Sequence, residues 1–262
     1  MTQQTNNIDV LDHGYVKFIE HWGSDERIVE AARMSTDGAF RGWGPKCDNC
    51  GTAVCTRPTW EGYCPTCNCV MSTVPGDEKL LRYLYEHKHS TPFEMAGMVI
   101  EVQAPIFVFR QWHRHRTQSY NELSARYTDL PALDYVPTVE QLMRNGGKNK
   151  QAGTAKGAEE LTQKGAEFYR GELKAMYAQQ ELLYRDALRA GVPKELARIH
   201  LPVARYSRMR ASANLRNWLA FLTLRMDSHA QYEIRVFADA VGEQIKREFP
   251  RTWGLFAEGR GA

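Results

Sequence analysis

Between Arg114 and Arg126 the chain reads RHRTQSYNELSAR, a run with three arginines, a histidine, two serines, an asparagine and a glutamate. It contains no lysine, and Asn and Ser, which compete with the helical backbone for hydrogen bonds, occupy its middle. An ordinary solvated helix face would carry Lys and alternate with apolar positions. Arginine suits planar, bidentate contact with phosphate or carboxylate, and Ser hydroxyls with backbone N–H groups can complete such a site. A Glu among arginines can hold their side chains in place. By residue type the run is an anion or nucleotide site, with a solvated surface as the competing reading.

The order of these residues narrows the chemistry. Arg114-His115-Arg116, Ser119, Asn121, Ser124 and Arg126 fill every fixed position of RHRxxSxNxxSxR, so the run resembles the signature of flavin-dependent thymidylate synthases. Upstream, His89-Ser90-Thr91-Pro92-Phe93-Glu94 resembles that family's HxTPFE segment. Ala104 to Val108, with Arg110-Gln111-Trp112, resembles the helix that leads into the signature. Ala32-Arg33-Met34-Ser35, Arg198, Asn214-Leu215-Arg216, and Leu224-Arg225 followed by Asp227 to Gln231 are similar to its remaining segments. The likeness covers nearly the whole chain apart from a Cys-rich stretch. It departs at Ala220, where many members place an Asn or His against the flavin; one cofactor contact differs, and the cofactor is still implied.

The resemblance implies reductive methylation of dUMP to dTMP, with 5,10-methylenetetrahydrofolate as carbon donor and NADPH as hydride source through FAD. It implies a homotetramer whose active sites are built where subunits meet. Carried over by position, the FAD contacts are Ser35, Thr91, Glu94, Arg114, His115, Arg116, Asn121, Glu122, Asn214 and Arg216, with His89 beside the isoalloxazine ring. The dUMP contacts are Gln111, Arg114, Glu122, Leu123, Ser124, Ala125, Arg126, Arg198 and Arg225. Arg225 and His89 are the implied catalytic residues. Arg225 against the uracil edge would stabilise negative charge there and activate C5. A thymidylate synthase of the ordinary kind attacks C6 with a cysteine thiolate; all six cysteines here lie between Cys47 and Cys69 and look committed elsewhere.

Cys47-Asp48-Asn49-Cys50 and Cys64-Pro65-Thr66-Cys67 form two C-x2-C pairs, with Gly51 after the first. Two such knuckles offer four thiolates, the ligand set of a structural tetrahedral Zn2+ site. Cys55 and Cys69 keep the ligand set open, since either can substitute. A zinc-ribbon-like segment at 40–72 is therefore expected inside a 1–262 synthase domain. Its basic residues between Phe40 and Val70 are Arg41, Lys46 and Arg57 alone, which favours a structural cap or subunit contact over nucleic-acid binding.

The formal net charge of +3 over 262 residues does not argue for a nucleic-acid partner, and 43% hydrophobic with 25% charged content is ordinary for a globular protein. Met1 to Val10 has no positive flank, apolar run or cleavage site, and no stretch reaches the length of a membrane span. With clustered cysteines this predicts a cytoplasmic enzyme. Two rivals are a nucleic-acid-binding zinc-ribbon protein and an inactive flavoprotein relative.

The elements that must hold these residues follow from periodicity. Ile8 to Ser35 predicts a short strand and a helix over Asp25–Ala32. The region 36–76, rich in Gly, Pro, Cys, Trp and Thr, has no helical period. Asp77 predicts an N-cap for a helix with Leu80, Leu81, Leu84 and Tyr85 on one face, ending near His89 before Pro92. Met98, Ile100 and Val102 alternate with Val99, Glu101 and Gln103 as a strand with one wetter face. Pro105 suits the first turn of a helix through Trp112, and 130–136 is extended at best. Residues 145–157 predict a mobile loop. A long helix to about Ala190 carries Tyr169, Leu173, Met176, Leu183 and Ala187 on a core face, with Gly191 as C-cap signal. A short helix at 194–200 and a strand at 205–213 follow. Asn214 caps a helix with Leu215, Trp218, Leu219, Leu222 and Met226. Ile234, Phe237, Val241, Ile245 and Phe249 mark the last long helix. Arg205, Arg208 and Arg210 form a solvated basic edge or steer phosphate. The sum is an α+β fold, a single domain with a mixed or antiparallel sheet flanked by long helices.

Overall fold

A computed structural model of the chain describes residues 7–44, 46–47, 49, 66–67, 73–74, 76–144 and 159–260. Strands β1 (Asn7–Val10) and β2 (Gly14–Trp22) lead into helix α1 (Asp25–Arg33) and a 3-10 turn at Met34–Thr36. Short strands β3 (Lys46–Cys47) and β4 (Thr73–Val74) precede α2 (Glu78–Glu86), α3 (Ser90–Glu94), β5 (Gly97–Pro105) and α4 (Ile106–Trp112). Then come β6 (Ser119–Glu122), α5 (Val139–Leu142), α6 (Gln163–Arg189), α7 (Lys194–Ala197) and β7 (Tyr206–Asn214). Helices α8 (Leu215–Arg225), α9 (Tyr232–Glu248) and α10 (Pro250–Glu258) close the chain. The α+β expectation holds. One five-stranded sheet has the order β1-β2-β5-β7-β6, and β3 pairs with β4 in a second, two-stranded sheet. The pairs β1/β2, β3/β4 and β6/β7 are antiparallel.

The chain packs as two compact units: residues 1–19, 99–212 and 221–241, and residues 20–98, 213–220 and 242–262.

In the first unit the N-terminal residues form a hairpin rather than the single strand expected, with Asn7 opposite Lys17 and Val10 opposite Gly14. A side chain at Gly14 would run into the Val10 carbonyl at 2.6 Å and the Phe237 ring at 2.7 Å, so the close approach requires glycine. The alternation read from β5 is realised: Ile100, Val102 and Ala104 are buried, whereas Glu101 and Gln103 are partly exposed. Glu101 accepts from the Tyr15 hydroxyl at 2.8 Å. Pro105 is the N-cap of α4, one residue earlier than the first turn.

Two expectations are corrected here. Helix α6, capped by Thr162 through Gly165 N, buries Ala166, Leu173 and Tyr184, while Tyr169, Met176 and Leu183 of the expected core stripe are exposed. A long helix carries more than one apolar face, and periodicity does not say which one the neighbouring elements cover. Arg205 is not part of a solvated edge. It is fully buried, with Nε 3.1 Å from Asp134 Oδ1, Nη1 2.8 Å from Glu181 Oε2, and Nη1 donating to the Pro131 carbonyl at 2.9 Å. The bridge from Asp134 to Arg205 gives the otherwise irregular 130–136 segment its attachment to the chain before β7. Arg208 and Arg210 do stay exposed, Arg210 lying 3.6 Å from Glu101. The loop expected at 145–157 lies outside the described residues.

In the second unit Ser24 caps α1 by accepting from Arg27 N, and Asp25 and Glu26 suit its positive end. Asp25 is buried and accepts from Arg251 N, Thr252 N and the Thr252 hydroxyl, pinning the start of α10. That helix, with Pro250 at its first turn, was not anticipated; α9 ends at Glu248, Phe249 is the N-cap of α10, and Pro cannot continue the helix behind it. Asp77 does stand at the N-cap of α2, yet its side chain makes no cap bond. Its carboxylate instead takes Arg33 Nε at 3.1 Å and Arg41 N at 2.6 Å. Glu78 accepts from Gly44 N at 2.7 Å, Glu26 from Trp43 Nε1 at 2.6 Å, and the Arg251 guanidinium lies 4.2 Å from the Trp43 ring centre. These contacts fasten residues 41–44, where the Cys-rich stretch begins. Pro92 does not exclude helix: it is the third residue of the five-residue α3, in a first turn that needs no N–H there.

The late helices bury most of what their spacing predicts; Met226, expected on the α8 stripe, lies beyond the helix and is only partly buried. Leu215, Trp218, Leu222, Ile234, Phe237, Val241, Ile245 and Phe249 are wholly inaccessible. Each such side chain contributes about 1.5–3 kcal/mol of transfer free energy. Asn214 Oδ1 accepts from Asn217 N at 2.9 Å, the cap expected at the start of α8.

Candidate active site

In the first unit α4 delivers Gln111 and the turn after it delivers Arg114 to Arg116. The turn is closed by His115 N donating to the Trp112 carbonyl at 2.9 Å, and by the Tyr120 hydroxyl donating to the carbonyls of His115 at 2.7 Å and Trp112 at 3.2 Å. Trp112 Nε1 donates to Gln118 at 3.0 Å, so the aromatic and amide positions of the signature serve as its internal frame. Burial pushes the Tyr120 phenol pKa up, which keeps it a proton donor to those carbonyls.

Arg225, the last residue of α8, reaches back to this turn. Its Nε donates to His115 Nε2 at 2.9 Å and its Nη2 to the Gln111 carbonyl at 3.0 Å. Burial, and then the charge of Arg225, hold the His115 pKa down at about 4. The Arg225 pKa is lowered by burial and by the nearby Arg114. Among the described residues neither guanidinium pairs with a carboxylate, and two such groups close together make a site that an anion relieves. The Gln111 side chain is tied to Gln231 of the Asp227–Gln231 segment.

A second grouping follows β6. Asn121 and Glu122, both exposed, lie opposite Arg210 and Met209 of β7, and Leu123 N donates to the Arg208 carbonyl at 2.7 Å. Ser124 then opens a turn: its hydroxyl accepts from Arg126 N at 3.4 Å and its carbonyl from Tyr127 N and Thr128 N, with Ala125 buried beneath. Arg126 is exposed and lies 3.4 Å from Glu195, on the short helix that ends at Arg198. The Glu195 pairing and the Arg208 carbonyl escaped sequence reasoning. Both depend on distant segments, and no local signal marks them. Arg116 is exposed in its turn.

The second unit holds the other set. Ser35, His89 and Thr91 share a cleft of about 360 Å3 walled by Ala31, Ala32, Leu84, Pro92 and Met95. Its volume lies within the roughly 300–1,000 Å3 usual for small-ligand sites. His89 also lines an adjoining cleft of about 400 Å3 with Tyr85, Phe93, Arg216 and Leu219. Glu94 at the end of α3 pairs with Arg216 in the first turn of α8. The exposed Tyr83 ring meets His89 edge to face at 5.4 Å and stacks on His87 at 4.1 Å, a support the sequence pattern did not single out.

Sequence comparison places this geometry among known enzymes. The family described as thymidylate synthase complementing protein matches residues 17–251. A flavin-dependent thymidylate synthase of Wolbachia pipientis wMel is 34% identical over 249 residues, covering 95% of this chain and 75% of that protein. The chain belongs to the flavin-dependent thymidylate synthase family. The Thermosipho africanus member is 34% identical over 94% of this chain and 92% of its own length. The Thermus thermophilus member is 36% identical over 96% and 78%. Among solved structures, a UMP/dUMP methylase, PolB, from Streptomyces cacaoi, bound with 5-Br dUMP, superimposes with a TM-score of 0.70 at 30% identity, covering 96% of this chain and 97% of that one.

The residues present fit the flavin that the family uses. The cleft in the second unit joins an apolar wall to the Ser35 and Thr91 hydroxyls and the His89 imidazole, and the adjoining cleft adds the Arg216 guanidinium. Flat apolar surface with a few polar groups suits an aromatic ring system, and a guanidinium suits a diphosphate.

Among the described residues, Cys47 and Cys67 have their sulfurs 3.7 Å apart, and no group of three or more metal-ligating side chains meets. Cys50, Cys64, Cys55 and Cys69 lie outside those residues. No described helix is long and apolar enough to cross a membrane.

Proposed function

We propose that this chain catalyses the reductive methylation of dUMP to dTMP, taking the carbon from 5,10-methylenetetrahydrofolate and the hydride from NADPH through FAD. Membership of the family supports the reaction. The observation that carries it to particular residues is Arg225, fixed by His115 and the Gln111 carbonyl beside Arg114.

The roles divide by chemistry. Ser124, Arg126 and the N–H groups of their turn hold the dUMP phosphate, with Arg198 adding charge; Gln111, Arg114, Glu122, Leu123 and Ala125 complete the nucleotide site. Arg225 donates to the uracil edge and stabilises negative charge as it develops, which activates C5. FAD is held by Ser35, His89, Thr91, Glu94, Asn214 and Arg216, together with Arg114, His115, Arg116, Asn121 and Glu122. When bound it supplies the redox chemistry that links NADPH to reduction of the transferred carbon. His89 is poised beside the ring system, held by Tyr83. Cysteine is not required as a nucleophile, since every cysteine of the chain lies between Cys47 and Cys69.

Two further assignments belong to this reading. The protein works as a homotetramer in the cytoplasm, with active sites completed by neighbouring subunits. The apolar residues that α6 leaves exposed in one protomer, Phe168, Tyr169, Met176, Leu182 and Leu183, support burial against another copy. Residues 40–72 form a zinc-ribbon-like insertion in the 1–262 domain, with Cys47, Cys50, Cys64 and Cys67 as ligands of a structural Zn2+.

The test is spectroscopic. Protein reconstituted with FAD should be yellow, bleach with NADPH, and recolour on addition of dUMP and methylenetetrahydrofolate as dTMP forms. A protein that takes up no flavin, or binds DNA in a salt-sensitive way without forming dTMP, would overturn the proposal.

A further inference from the structure

The bond between Arg225 and His115 constrains both partners. A guanidinium has only donors, so His115 Nε2 must accept, and the imidazole must be neutral with its proton on Nδ1. Desolvation of the ring favours the same state. A cationic imidazole would instead set charge against charge at 2.9 Å.

The ring is held from other directions too. Phe221 meets it edge to face at 4.9 Å, Trp112 stacks on Phe221 at 4.6 Å, and the Tyr120 hydroxyl anchors the His115 carbonyl. Nε and Nη2 lie along one side of the guanidinium, and their acceptors are His115 Nε2 and the Gln111 carbonyl. The plane of the group is thereby set, and its Nη1 end is turned away from both acceptors.

We infer that His115 is a positioning residue for Arg225: its neutral imidazole and the Gln111 carbonyl together orient the guanidinium so that the Nη1 end is presented to the pyrimidine edge of the substrate. The link to substrate rests on the function proposed above; the hydrogen bond itself does not. Among the described residues His115 Nδ1 has no hydrogen-bond partner, which leaves its N–H for the flavin. The middle residue of Arg-His-Arg is then histidine for a reason of its own. Lysine or arginine could not accept from Arg225, and a carboxylate there would neutralise it. Neutral imidazole orients the cation and leaves its charge for the substrate.

The test uses the FAD-loaded protein. Nitrogen-15 spectra near neutral pH should show His115 with Nδ1 protonated and Nε2 bare, identified by loss of the signal in His115→Phe. That variant keeps the ring volume against Phe221 and removes the acceptor. His115→Gln restores an amide oxygen near the Nε2 position. Turnover to dTMP should fall by about tenfold to a hundredfold in His115→Phe, the scale of a lost charge-assisted hydrogen bond, and recover most of that in His115→Gln. In an Arg225→Lys background assayed at saturating FAD, so that the flavin contact of His115 does not limit the rate, adding His115→Phe should cost less than about threefold more, because the pair acts as a unit. Losses that multiply in the double variant, or a protonated Nε2 in the wild type, would overturn the inference. A wild type that forms no dTMP would instead overturn the functional proposal, and the nitrogen spectrum would still decide the hydrogen bond.

Discussion

The sulfurs of Cys47 and Cys67, one from each C-x2-C pair, stand 3.7 Å apart. That separation is far beyond a disulfide bond, which is about 2.05 Å. It matches the edge of a tetrahedron with metal–sulfur bonds of about 2.3 Å, which is roughly 3.8 Å. The separation fits the two-ligand role proposed above, and it also suits a thiol–thiol hydrogen bond, so metal content decides between them. Freshly purified protein should carry about one zinc per chain, and Cys67→Ala should remove it. Metal analysis finding far less than one zinc in the wild type would end this assignment.

Arg205 is the buried charge whose loss should cost most. Arg205→Ala would leave Asp134 and Glu181 facing each other without their shared cation. Breaking a buried ion pair from one side typically costs about 3–5 kcal/mol. Urea unfolding of the variant should show a loss of that size. A change under about 1 kcal/mol would mean that the carboxylates find water or another partner.

Asp25 makes stability depend on pH in a defined direction. Burial raises its pKa above 3.8, outweighing the three donors around it. The folded state therefore binds the proton more tightly than the unfolded chain. The stabilisation from protonation is fully present below the unfolded pKa and is lost as pH rises through the folded one. Asp25→Asn should abolish that slope. It should also cost about 1–3 kcal/mol at neutral pH, because an amide NH2 would face one of the Arg251, Thr252 or hydroxyl donors. Thermal melts from pH 3 to pH 7 compare the two proteins directly, and parallel curves would refute the assignment.

Arg126 should control nucleotide affinity more than turnover. Removing its contact with the phosphate in Arg126→Ala should raise KM for dUMP by about tenfold to a hundredfold, with a smaller change in kcat. Arg126→Lys should recover part of the loss, since it keeps the charge without the bidentate fork. Steady-state rates at varied dUMP check this; an unchanged KM would place the phosphate elsewhere.

The sequence by itself determined much of what depends on near neighbours. The alternation of Met98, Ile100 and Val102 with Val99, Glu101 and Gln103 defined β5 and its buried face, because side chains alternate along any strand. Asn214 announced the start of α8, because a cap acts over three residues. The signature run named the family, because its chemistry is written in residue type and spacing. Only the tertiary structure decided which long-range partners meet. His115 and Arg225 are 110 positions apart, and nothing local pairs them. Arg205 follows Val203 and Ala204 with nothing local to name a partner, and its burial follows from Asp134 and Glu181 arriving around it. Asp77 sits where a cap should, yet Arg33 and the Arg41 N–H compete successfully for its carboxylate. Periodicity and capping are short-range consequences of backbone geometry, whereas the partner of a charge depends on which segments the fold brings beside it.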